Sequence, residues 1–301
     1  MTTIGTTNIK FSEMYNAIND PDHNGTDNIA ISDFRGTNYV GGSVPNTGAI
    51  AIGTHFKNKN FVLYAFSSHT FKSCEESNPL ASTGGRRYGP TLAECRAEYT
   101  PTWVDNTAYF NIVTQGIQEW TVPETGNYTI VASGAAGANG TYGGNNYLGF
   151  KGAKITGTFN LTMGEVIYIL VGQRANLDID STAGGGGGGG TFVVKKNSGG
   201  LSSTTINDVL IVAGGGGGHG AGGWNTGGGS PGQTTITSST SGGTQGPGYA
   251  SGGGGGLLSN GQHTSRGGKS FIAGGVGGDA TSGGYNAMGG FGGGGGGGIH
   301  S

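Results

Sequence analysis

Asp208-Val-Leu-Ile-Val-Ala-Gly-Gly-Gly-Gly-Gly218 joins a five-residue apolar run directly to an unbroken glycine block. The same junction occurs reversed where Gly184–Gly190 runs straight into Thr191-Phe-Val-Val194. Further blocks are Gly252–Gly256 and Gly292–Gly298, and 58 of the 70 glycines fall from Gly134 onward. A glycine/serine tract standing alone reads as a loose linker. A linker has no use for strand-like anchors at its ends, so these blocks are expected to be ordered. Ordering a residue costs about 1–2 kcal/mol of backbone entropy, and more for glycine. Each backbone polar group must therefore find a partner. Three-fold extended helices of the polyproline II type make no internal hydrogen bonds, so several packed side by side can bond to one another where only glycine fits. At about 3.1 Å per residue, a seven-glycine block spans roughly 20 Å, the length of an ordinary strand. The sequence thus predicts a bundle of polyglycine II helices beside a β-sheet.

Composition narrows the function classes. Charged residues make up 11% of the 301 positions and the net charge is −2, which gives no basic stripe for nucleic acid. The pairs Arg86-Arg87 and Lys195-Lys196 stand alone and read as solvated surface. The apolar run Phe61–Phe66 is too short to cross a bilayer, and Met1–Tyr15 lacks the charged and apolar halves of a secretory leader. No membrane insertion is expected. Cys74 and Cys95 are too few for a closed zinc site. Two reduced thiols and a disulfide closed after release into an oxidising medium both remain open on the residues alone. The six histidines are scattered singly and read as surface or capping groups.

Along the chain, residues 1–58 hold a degenerate repeat: Asn8-Ile-Lys-Phe-Ser-Glu-Met14, Asn28-Ile-Ala-Ile-Ser-Asp-Phe34 and Gly48-Ala-Ile-Ala-Ile-Gly-Thr54. Units this short cannot bury a core individually and are expected to dock on a partner. From residue 59 the pattern turns to strands, at 60–71, 108–113, 116–132 (strand, Pro/Gly turn, strand), 153–172 (a hairpin-like pair about Thr162-Met-Gly-Glu165), 191–195 and 209–213. Thr91–Tyr99, preceded by Pro90, is the one helical candidate. This count predicts an all-β sandwich or jelly roll over 59–213. The glycine bundle over 184–301 is interleaved with it.

Several motifs together carry a family resemblance. Gly89-Pro-Thr-Leu-Ala-Glu-Cys95, Gly116-Ile-Gln-Glu-Trp120, Val122-Pro-Glu-Thr-Gly126, Gly134-Ala-Ala-Gly137, Gly157-Thr-Phe-Asn-Leu161 and Tyr168-Ile-Leu-Val-Gly-Gln173 stand in that order ahead of the glycine blocks. Together they resemble the glycine-rich extracellular region of the anaplastic lymphoma kinase and leukocyte tyrosine kinase family, from about Phe71 to Ser301. The resemblance implies a tumour-necrosis-factor-like sandwich, a polyglycine-helix bundle and a Cys74–Cys95 disulfide. A kinase domain and a spanning segment are missing, so receptor function does not carry over. The N-terminal motifs are similar to short segments that open structural proteins of tailed phages and large DNA viruses, some of whose fibre tips carry polyglycine bundles as adhesins.

Catalytic chemistry finds little purchase. Gly268-Lys-Ser270 ends like a phosphate loop, but His263 occupies the position of its first glycine. No Gly-x-Ser-x-Gly elbow sits in a strand-to-helix turn, and Glu94 and Glu98, four apart, read as a solvated helix face. The sequons at Asn24, Asn127 and Asn160 matter only to a chain that enters a secretory pathway. The expectation is a non-enzymatic protein without cofactor or metal, a component of the virion exterior held to other virion proteins through residues 1–58. Alternatives are a tail-fibre adhesin for a host glycan or protein, and a secreted or surface ligand-binding module; a homotrimer is compatible with each. Trp224, Tyr249, Tyr285 and Phe291 interrupt the glycine region as candidate host contacts or, more simply, as wedges in the bundle. Packed glycine blocks should make Gly187→Val costly and Gly41→Val nearly silent.

Overall fold

The computed structural model describes residues 67–74, 87–142, 145–175, 185–219, 231–232, 252–279 and 288–297, together with two short strands near the N-terminus, β1 (Asn38–Tyr39) and β2 (Gly42–Ser43). The rest of the 1–58 repeat, Gly41 included, lies outside the described residues.

Among the described residues there is one α-helix, α1, which spans Leu92–Glu98. It starts where it does because the Thr91 side chain accepts from the Glu94 amide while the Glu94 carboxylate accepts from the Thr91 amide at 2.6 Å. That reciprocal cap satisfies two otherwise orphaned donors.

Nine further strands follow: β3 (Phe110–Asn111), β4 (Ile117–Thr121), β5 (Gly126–Ser133), β6 (Gly140–Tyr142), β7 (Asn145–Tyr147), β8 (Lys154–Leu161), β9 (Val166–Leu170), β10 (Thr191–Lys195) and β11 (Val209–Ala213). Five of them form an antiparallel sheet in the order β11-β10-β9-β4-β3. Strands β5 and β8 pair separately over eight positions, from Gly126 opposite Leu161 to Ser133 opposite Lys154. The two hairpins read from the sequence are therefore corners. Val122-Pro-Glu-Thr carries the chain from β4 in one sheet to β5 in the other, and Thr162-Met-Gly-Glu carries it back from β8 to β9. The corners bond to each other, Val122 N–H to the Glu165 carbonyl at 2.8 Å and Gly164 N–H to the Val122 carbonyl at 2.9 Å. Within 60–71, the described residues from 67 onward form no strand.

Burial explains the pairing. Strand β5 shows alternate burial, as does β8, with Tyr128, Ile130, Ala132, Ile155 and Phe159 turned to the core and Asn127, Thr129, Thr156 and Thr158 outward. This is the pattern of a sheet with one wet face. The central strands are covered on both sides. Ile167, Ile169 and Val193 join Trp120, Phe110 and Trp103 between the sheets. Tyr168, Leu170, Phe192 and Val194 face the other way, onto Leu257, Phe271 and Phe291 of the glycine-rich region. A strand buried on both faces reads as a continuous apolar run, and that is why Val-Ile-Tyr-Ile-Leu and Val-Leu-Ile-Val-Ala lack alternation.

The glycine segments form the third layer. Their hydrogen bonds advance by three residues, where a β-ladder would repeat every two. Ala135 and Ala138 N–H donate to the Gly189 and Gly186 carbonyls at 2.9 and 2.8 Å, and Gly185 and Gly188 donate to His219 and Gly216 at 2.8 and 2.9 Å. Gly187 and Gly190 donate to Gly295 and Gly292, and Gly252 and Gly255 to Gly296 and Gly293, at 2.7–2.9 Å. Segment 185–190 is thus bonded to 135–138, 216–219 and 292–295 at once. Packing differs along this segment in a way that identical residues conceal. A Cβ on Gly189 would overlap the Phe291 carbonyl, whereas one on Gly187 would meet nothing closer than 3.4 Å. Gly187, which the sequence singled out, has room for a methyl group; Gly185 and Gly188 are tight against backbone, and Gly189 is the tightest.

Candidate functional site

The chemistry-bearing residues converge where α1, the start of β4 and the end of β9 meet. Gln118 is wholly buried, with both ends of its amide bonded. The Tyr99 hydroxyl donates to its Oε1 at 2.6 Å, and its Nε2 donates to the Lys72 carbonyl at 2.8 Å. The Lys72 amide donates back to the Tyr99 hydroxyl oxygen at 2.8 Å, which closes the ring of bonds. Two residues further on, Cys74 sits at φ +44°, a left-handed conformation uncommon outside glycine. That turn directs it at Cys95 on α1.

Both cysteines are buried free thiols. The fold brings Cys74 and Cys95 together, as the pairing that the resemblance implies requires, and as thiols Cys95 donates its S–H toward Cys74. That hydrogen bond holds the Cys74 thiol below its ordinary value against the opposing effect of burial, and pushes Cys95 up, with burial adding to the rise. Burial raises Tyr99, and the neighbouring Cys74 raises it further. The thiolate is the reactive form of cysteine, so reactivity concentrates on Cys74.

Cys74 also borders a recess of ≈ 370 Å³, shared with Tyr88, Pro90, Glu94, Gln115 and Gln173. Glu94 is therefore more than a solvated face; it caps α1 and walls the recess. Glu98 pairs with Lys72 at 2.6 Å on the exposed side. Beyond the recess, Arg87 ties the sandwich to the glycine layer through an ion pair with Asp279 at 2.8 Å and a bond to the Gly277 carbonyl at 2.8 Å.

No protein-family model matches the chain. Over 106 residues it is 38% identical to the mouse leukocyte tyrosine kinase receptor, an alignment that takes in 32% of this chain and 12% of the receptor. The likeness to that receptor family is thus upheld for about a third of the chain, and for a small part of the receptor's length.

Of the aromatic candidates for host contact, Trp224, Tyr249 and Tyr285 lie outside the described residues. Phe291 is fully buried. Its ring lies so close to Gly89 and Gly116 that a Cβ on Gly89 would come within 2.5 Å of it, so Phe291 is a wedge and unavailable to a partner. The lysine pair read as solvated surface is engaged: Lys195 with Glu165 at 3.1 Å, Lys196 with Glu119 at 2.8 Å and over the Tyr168 ring. His263 caps a turn, its Nδ1 accepting from the Ser265 and Arg266 amides. His69 instead packs edge-on among Phe71, Tyr99 and Trp103, and burial lowers its pKa. Among the described residues no group of His, Cys, Asp and Glu is placed to hold a metal, and no helix is long and apolar enough to cross a membrane.

Sequence reasoning missed Gln115, Gln118 and Gln173. A glutamine carries no local signal of burial, and only the partners brought by the fold reveal one.

Proposed function

We propose that the chain is a non-enzymatic structural module of the virion exterior, anchored to other virion proteins through residues 1–58, whose glycine-packed half serves as a stiff display scaffold. The observation that carries this reading is the three-residue repeat of hydrogen bonds between glycine segments. It matches the turn of a polyproline II-type helix, and we read the segments as polyglycine II helices inserted in and following a tumour-necrosis-factor-like jelly roll. Such a bundle is held by backbone bonds and buries little charge, which suits a part that must keep its shape outside a cell. Loops between stiff segments then serve as recognition tips, which is the form a fibre-tip adhesin for a host glycan or protein would take. Mass spectrometry of purified particles tests the assignment: the protein should co-purify with virions, and its recovery solely from the soluble fraction of infected cells would refute it. Light scattering on the recombinant chain tests a homotrimer.

A second reading, a surface or secreted ligand-binding module, is favoured by the 38% identity to a receptor. On that reading Cys74 and Cys95 close to a disulfide in an oxidising medium, giving up two protons and two electrons.

A further inference from the structure

Two of the three Asn-x-Thr sequons fall on facing positions of one strand pair, which their distance along the chain conceals. Asn127 in β5 stands directly opposite Asn160 in β8. Their side-chain amides meet at 3.3 Å, Asn160 Nδ2 donating to Asn127 Oδ1. Both asparagines are exposed, and so are the hydroxyl residues that complete the motifs, Thr129 and Thr162. Thr129 in turn faces Thr158, hydroxyl to hydroxyl at 3.2 Å. These side chains belong to the wet face of the pair, across the sandwich from Leu257, Phe271 and Phe291. A second property of this face points to a covering group. Lys154 is the only charged residue in β5 and β8, and Val131 on the outer face is 55% exposed. A long, flat strand pair with so little charge is a template for association with other chains. A bulky, solubilising glycan rooted at its end shields it.

We propose that Asn127 and Asn160 form one shared acceptor for an N-linked glycan: either asparagine carries it in the folded protein, and the fold excludes a second on the other. The donor is a lipid-linked pyrophosphate oligosaccharide. The bond from sugar C1 to the pyrophosphate oxygen breaks and a bond from C1 to the asparagine Nδ2 forms. One amide proton passes to a base of the transferase, and the lipid pyrophosphate leaves. Transfer acts on the chain before it folds, so the fold decides which products can be accommodated. Directly opposed residues stand about 4.5–5.5 Å apart at Cβ, and two oligosaccharides leaving the same face at that spacing collide. A chain modified at both positions cannot close β5 on β8. This inference rests on the second reading above, that of a surface or secreted module.

The test is export of the full chain, fused to a secretory leader and carrying Asn24→Gln, from a eukaryotic host. Intact mass of the secreted protein counts glycans per molecule. Glycosidase release in heavy-oxygen water, which turns each carrier asparagine into a labelled aspartate, locates them by peptide mapping. The two positions should share one glycan per molecule. Asn127→Gln should place it on Asn160, and Asn160→Gln on Asn127, since glutamine keeps an amide opposite the survivor. The double variant should carry none and self-associate at lower concentration. Secreted, folded protein with glycans at both positions of one molecule, or at neither, would overturn the proposal. Should one single variant fail to fold, the parent chain and the other variant decide alone. Export of the chain under its own sequence is a separate measurement, its recovery from the medium of the cells that make it; failure there sinks the second reading and leaves the site result standing.

Discussion

Two glycines two positions apart in one block should respond to the same substitution with opposite signs. In Gly189→Ala the added methyl lands on the Phe291 carbonyl, whose carbon lies 2.5 Å and whose neighbour Gly292 Cα lies 3.0 Å from the Cβ position. Phe291 cannot retreat freely, because its ring is wedged against Gly89 and Gly116 and its carbonyl accepts from the Gln173 amide at 2.8 Å. Overpacking of this kind costs about 1–3 kcal/mol. The shift also strains the Gly189–Gln173 and Ala135–Gly189 hydrogen bonds, worth about 1 kcal/mol each. A loss of roughly 3 kcal/mol follows, or about 6–12 °C in Tm at 2–4 °C per kcal/mol. In Gly187→Ala the methyl meets Gly295 N and O at 3.4 and 3.6 Å and Gly216 O at 3.8 Å, ordinary contacts, and φ is not positive. Alanine there should be neutral or stabilise by about 0.4–1 kcal/mol through the unfolded chain. Paired thermal and urea unfolding measures both. Equal effects of the two substitutions, in either direction, would refute the packing described here.

Three further outcomes follow from the same structure. Phe291→Ala should cost about 3–5 kcal/mol in a denaturant titration, since the ring is fully buried in the apolar cluster with Leu170, Phe192 and Phe271; an unchanged midpoint would mean that it is no wedge. In the reduced protein, iodoacetamide should modify Cys74 before Cys95, and the rate should rise with pH earlier than for an ordinary thiol. The sign follows from the depressed value of Cys74, which places more thiolate at a given pH; peptide mapping showing Cys95 labelled first would contradict it. Mild oxidation should remove two hydrogens from the chain and raise stability by about 3 kcal/mol for a loop of this size, and an oxidised mass without stabilisation would show that closure strains the fold.

The strands β3, β4, β5, β8, β9, β10 and β11 were legible in the sequence because each carries apolar residues bounded by turn formers, and α1 was legible from Pro90 ahead of it; β6 and β7, whose residues are mostly polar or glycine, were not, and the described residues 67–71 of the expected 60–71 strand form none. Pairing was not. Val122-Pro-Glu-Thr-Gly signals a reversal but not whether the chain returns beside the same strand or crosses to another sheet; that is decided by which faces find cover. The runs 166–170 and 209–213, apolar without alternation, did carry the information that both their faces are buried, but not what covers the second. Seven identical glycines give no hint that position 189 is tight and 187 roomy, since the difference lies in Phe291 about a hundred residues away. At the recess, Glu94 showed only as one of two acidic residues four apart, and the glutamines showed as nothing at all.

Amide hydrogen exchange across residues 185–190 tests most directly whether the glycine-rich half is a packed, hydrogen-bonded layer. Gly185 and Gly187–Gly190 each donate to a backbone carbonyl of another segment at 2.8–2.9 Å, and their amides should be protected to a degree approaching those of β9 and β10. Exchange at the rate of an unstructured chain throughout the block, with β9 and β10 still protected, would show a sandwich trailing a loose tail and contradict the account.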